Sequence, residues 1–139
     1  MPKILAAATS MFLFIAAANG QTAAGLAKKY HHHEVYEVAP GVQMTPKFDS
    51  TGAVCEMQVE QAHFVKDGVD VRNGIDERQV YPIIDELVPV SERGTKLRTF
   101  DECVGVCQTT LQYSNVAIMM VSAGDTRLVR IKWRNRSCE

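Results

Sequence analysis

Val42-Gln43-Met44-Thr45-Pro46-Lys47-Phe48 and Val54-Cys55-Glu56-Met57-Gln58-Val59-Glu60 flank Asp49-Ser50-Thr51-Gly52-Ala53, and this stretch decides the fold. Val42, Met44 and Phe48 alternate with Gln43, Thr45 and Lys47; beyond the loop, Cys55, Met57 and Val59 alternate with Glu56, Gln58 and Glu60. A period of two buries one face of a strand and leaves the other wet. Two such runs around a short Gly-containing loop predict a β-hairpin.

Upstream, residues 21–39 form a polar arm containing Lys28, Lys29 and His31-His32-His33-Glu34; its last residues are available as an edge strand before Pro40-Gly41. Residues 1–20 read as a signal peptide, with Lys3, an apolar run from Ile4 to Ala18, and small residues up to Gly20. That run is shorter than the roughly twenty residues of a membrane span. Cleavage near Gly20 implies an exported protein, periplasmic or extracellular, with no transmembrane segment in the mature chain. Residues 40–139 then form one domain, the size expected of a chain of 139 residues.

Downstream, Val80, Ile83, Ile84 and Leu87 follow the i, i+3, i+4, i+7 spacing of a helix with one buried stripe. Asp76 and Gln79 suit its start and Pro89 its stop. Pro82 either kinks the helix from its wet face or sits in the first turn of a helix starting near Tyr81. Ser91 to Lys96 reads as a charged loop. Val116 to Val121 suits the middle of a sheet, and Leu128 to Arg134 is a strand with Val129, Ile131 and Trp133 on one face and Arg130, Lys132 and Arg134 on the other. The expected fold class is α+β: an antiparallel sheet of four to five strands, built from two hairpins, with one amphipathic helix packed on one face.

Cys55, Cys103, Cys107 and Cys138 form an even set after an export signal, which predicts two disulfides. Of three possible pairings the preferred one is Cys55 with Cys138 and Cys103 with Cys107. The second pair requires a turn at Val104-Gly105-Val106, because residues four apart on an extended strand lie about 13 Å from each other. Each bridge is expected to add about 2–4 kcal/mol.

The formal net charge is −1, and removal of Lys3 makes it one unit more negative, so nothing in the balance calls for a nucleic acid partner. Two candidate sites stand out. Arg130, Lys132 and Arg134 form a basic stripe, with Arg127 and Arg136 nearby, suited to an anionic polysaccharide or phosphate and equally to an ordinary solvated strand face. His31 and His33 point the same way in an extended arm and suit Zn²⁺ or Cu²⁺, although a built metal site draws three or four ligands from separate elements. No nucleophile elbow, phosphate-binding Gly loop or metalloprotease helix occurs.

With Val54-Cys55-Glu56-Met57, Glu102 to Cys107 and Ile131 to Cys138 in view, the chain resembles small exported bacterial proteins of uncharacterised function over most of residues 42–138. Around Phe48-Asp49-Ser50-Thr51-Gly52-Ala53 it is similar to the TonB C-terminal domain, from which it departs in its four cysteines and lack of an anchor. Neither resemblance implies a cofactor or catalytic residues. The expectation is a non-enzymatic exported module that binds a protein or an envelope polysaccharide. Its alternatives are a metal-handling protein using the histidine arm and a small hydrolase using His63 with a carboxylate.

Overall fold

A computed structural model describes residues 22, 24–26, 35–66, 69–72, 75–123 and 126–138, with the backbone alone at 63–66, 69–72, 123 and 126. The predicted hairpin is present as β2 (Val42–Phe48) and β3 (Val54–Gln61), in the register Met44↔Val59, Thr45↔Gln58 and Lys47↔Glu56. Its turn is closed by Gly52 N–H donating to the Asp49 carbonyl at 3.0 Å, with Gly52 at φ +79°, where a residue without Cβ is unstrained. Val42, Met44, Met57 and Val59 are fully buried. Phe48 pairs with Val54 rather than Cys55, so a bulge sets Cys55 into the interior.

The expected α+β fold is overturned. The chain is mostly β, and its principal sheet has seven antiparallel strands rather than four or five, in the order β1-β2-β3-β9-β8-β7-β6. β1 (Tyr36–Ala39) supplies one edge. β6 (Lys96–Val104) and β7 (Val106–Tyr113) form a hairpin that hydrophobic periodicity does not reveal, because every residue of β6 is exposed. β8 (Val116–Ala123) and β9 (Thr126–Trp133) complete the sheet, while β4 (His63–Lys66) and β5 (Val69–Arg72) form a separate two-stranded ribbon. The ladder between β3 and β9 joins the two halves of the sheet, pairing Met57 with Ile131 and Val59 with Val129.

The eleven-residue helix α1 (Glu77–Leu87) lies over one sheet face, where Val80, Ile83, Ile84 and Leu87 join Met57, Ile118, Ile131 and Trp133 in a single core. Its N-cap is Asp76, which accepts from Arg78 N–H at 2.9 Å and from the Arg78 guanidinium; the side-chain bond, ahead of the backbone one, holds the Asp76 carboxyl below its ordinary range. Pro82 sits within the helix on its exposed side, which removes the reading of Pro82 as a first-turn residue. The supposed charged loop contains a one-turn helix, α2 (Val90–Arg93), and a buried cation. Arg93 donates to the Val88 carbonyl at 2.8 Å, pairs with Asp85, and lies 5.8 Å from the centre of the Tyr113 ring. It thereby satisfies a carbonyl at the end of α1 and ties the helix to the sheet.

Both disulfides follow the preferred pairing. Cys55–Cys138 spans 83 residues with a Cα separation of 5.5 Å, and Cys103–Cys107 spans 4 with a separation of 4.1 Å. The second staples the tip of the β6–β7 hairpin, where Gly105 turns the chain at φ +76°.

Loop-closure entropy separates the two bridges. Replacing Cys55 and Cys138 by Ala is expected to lower unfolding free energy by about 4 kcal/mol, and replacing Cys103 and Cys107 by about 2 kcal/mol or less, read from urea midpoints. Arg93→Met keeps the aliphatic stem but strands the Val88 carbonyl. It is expected to cost about 1–3 kcal/mol in the same assay, with little of that from the half-exposed Asp85 pair.

Candidate functional site

Residues directly opposite one another across an antiparallel ladder share a face, so the registers sort the described side chains of the sheet between its two faces. One face is the core, covered by α1. The other carries three cross-strand rows: Glu56, Lys132, Ala117 and Gln112; Gln58, Arg130, Met119 and Thr110; Glu60, Leu128, Val121 and Gln108. The basic stripe therefore lies on the open face, on β9 at the middle of the sheet.

Glu56 collects two of the cations on this face. It accepts from Lys47 Nζ at 2.9 Å and lies 3.9 Å from Arg130 Nε, with only 13 % of its own side chain exposed. Lys132, which stands directly opposite Glu56 in the ladder, has no ion-pair partner among the described residues. Just past β9 the chain turns, and Lys132, Arg134 and Arg136 converge on an open cleft of about 620 Å³ with Glu56, Asn135 and Ser137 in its wall.

The two arginines are held by main-chain oxygens rather than by carboxylates. Arg134 donates to the Tyr113 carbonyl at 3.2 Å. Arg136 donates to the Val54 carbonyl at 2.6 Å and lies 5.5 Å from the Trp133 ring centre. The Cys55–Cys138 bridge fixes the segment that carries them, since Cys138 is two residues beyond Arg136. A guanidinium positioned by one neutral hydrogen bond keeps other N–H donors for an incoming oxyanion.

The proposed trio is thus divided. Lys132 and Arg134 line the cleft, whereas Arg130 does not and instead lies against Glu56 at its wall. Arg136, which sequence placed only near the stripe, takes the third position in the cleft. Its role depends on the disulfide and the β3 bulge, neither of which has a periodic signature. His31 and His33 lie outside the described residues, and His63 belongs to β4, where the backbone alone is described. Among the described residues no three His, Cys, Asp or Glu side chains group closely enough to hold a metal ion. Compared with known protein families, curated proteins and solved structures, the chain finds no match.

Close to the cleft, the turn residue Asp49 is held below the ordinary carboxylate range. The Thr51 hydroxyl, donating at 2.6 Å, is the main cause; the Thr51 and Ala53 N–H groups and the charge of Arg136 act in the same direction, against desolvation. A depressed folded-state pKa contributes stability that is complete above the unfolded value of about 3.9 and disappears as pH falls through the lower folded value. Urea unfolding across that acid range is therefore expected to show a shallower loss in Asp49→Asn than in the parent chain. An identical acid slope would mean that the turn carboxylate contributes nothing.

Proposed function

We propose that this protein is an exported, non-enzymatic binding module whose basic cleft holds an anionic polymer of the cell envelope. The observation that carries this reading is the convergence of Lys132, Arg134 and Arg136 on a cleft whose one carboxylate among the described lining residues, Glu56, is bonded to Lys47 and not to any of the three, in a chain whose overall charge is −1. Three cations lining one cleft of a slightly acidic protein create a local field that concentrates anionic ligands.

Export fits the signal-like first twenty residues and the two disulfides. Among the described residues no helix is long and apolar enough to cross a membrane. An open cleft suits a chain of repeating sulfate, phosphate or carboxylate groups better than an enclosed small molecule. Each guanidinium keeps N–H donors suited to carboxylate, sulfate or phosphate oxygens.

Dextran sulfate, with neutral dextran as control, tests the proposal by calorimetry at low and physiological ionic strength. Binding to dextran sulfate alone is expected, weakening as salt rises. Lys132→Gln with Arg134→Gln should reduce affinity at least tenfold at unchanged thermal stability, and Arg130→Gln should have a smaller effect because Arg130 already faces Glu56. Equal affinity for the two polymers, or an unchanged affinity in the double variant, would overturn the assignment.

A further inference from the structure

The two edges of the sheet are built differently. β1 is four residues long, with a register irregularity between Glu37 and Ala39, a common way of blunting an edge. β6 is nine residues long, contains no proline, and runs in unbroken register with β7 from Arg98 to Val104. All nine of its residues are exposed, including Phe100 at 43 % and the tip residue Val104 at 83 %. Such an edge offers a row of unpaired backbone donors and acceptors to another strand.

We infer that β6 pairs antiparallel with β6 of a second copy of this chain, about a two-fold axis at Phe100. The charges of the strand select this occupant. Arg98, Phe100 and Glu102 alternate along β6 and share the open face, opposite Gln112, Thr110 and Gln108. Arg98 stacks over the Phe100 ring at 4.3 Å and donates to Gln112 at 2.6 Å, and neither Arg98 nor Glu102 has an ion-pair partner among the described residues. Four residues of extended chain keep them about 13 Å apart, too far to pair within one molecule.

Antiparallel pairing centred on Phe100 sets Arg98 of each copy opposite Glu102 of the other, with the two Phe100 rings facing each other between them. A one-residue slip would put these charges on opposite faces of the joined sheet, so the register is specified. The Cys103–Cys107 staple holds the hairpin in its paired shape beforehand, which lowers the ordering cost of association. Because the axis is normal to the sheet, both open faces look the same way. Self-association at this edge requires no ligand, so it stands or fails separately from anion binding.

Sedimentation equilibrium of the oxidised full chain, from micromolar to submillimolar concentration, tests the pairing. The parent chain is expected to move from monomer to dimer. Arg98→Glu and Glu102→Arg are each expected to weaken the dimer at least tenfold, by setting like charges opposite one another, and the double variant carrying both changes should recover most of that loss. These residues are exposed, and circular dichroism checks that each variant keeps its sheet. A parent chain monomeric throughout, a dimer indifferent to either single change, or a double variant no stronger than the singles would overturn the inference.

Discussion

The β3–β9 ladder is the constraint on which the rest of the structure depends. It pairs Val54–Gln61 with Thr126–Trp133, segments separated by most of the described chain, whereas the other ladders of the sheet join strands that are neighbours in sequence. Without it the chain would be two antiparallel ribbons, each with one apolar face and nothing large enough to cover it. With it, Met57, Ile131 and Ile118 lie side by side and offer α1 a continuous surface. The entropy of closing so long a loop is the principal cost of this arrangement, and Cys55–Cys138 offsets it by tying the same two segments together a few residues away.

The same ladder makes the candidate site. Glu56 comes from β3 and its cations from β2 and β9, so the charge pattern exists only when the two halves of the sheet are joined. Hydrogen bonds from Arg134 and Arg136 to main-chain oxygens of β7 and β3 hold their guanidinium groups at the cleft without a carboxylate bonded to either among the described residues. On the opposite face Arg93 shows the reverse economy. It is buried, and its bonds to the Val88 carbonyl and to Asp85 hold it against α1, so it serves the packing of the helix.

β6 extends the sheet beyond the core, whereas its partner β7 still packs Leu111 and Tyr113 against it. A strand that buries no side chain needs other support, and here it comes from the ladder to β7, from pairs such as Thr109 to Asp101 at 2.7 Å, and from the disulfide at the tip. That support leaves the outer edge and its charges available. The contrast with the short, irregular β1 gives the sheet a protected edge and an open one.

What the sequence by itself determined was set by local periodicity and local geometry: the β2–β3 hairpin and its Gly52 turn, the apolar stripe of α1, the two faces of β9, and the turn that lets Cys103 meet Cys107. Each depends on side chains a few residues apart, and burial of one face writes its period into the chain. Only the tertiary structure decided the number and order of strands, because β6 buries neither face and so carries no alternation to read. It also decided that Arg93 is a core residue, that Arg130 turns to Glu56, and that Arg136 takes the third place in the cleft. These outcomes rest on the β3–β9 register and the Cys55–Cys138 bridge, and long-range pairing of that kind is an agreement between distant segments that neither segment encodes alone.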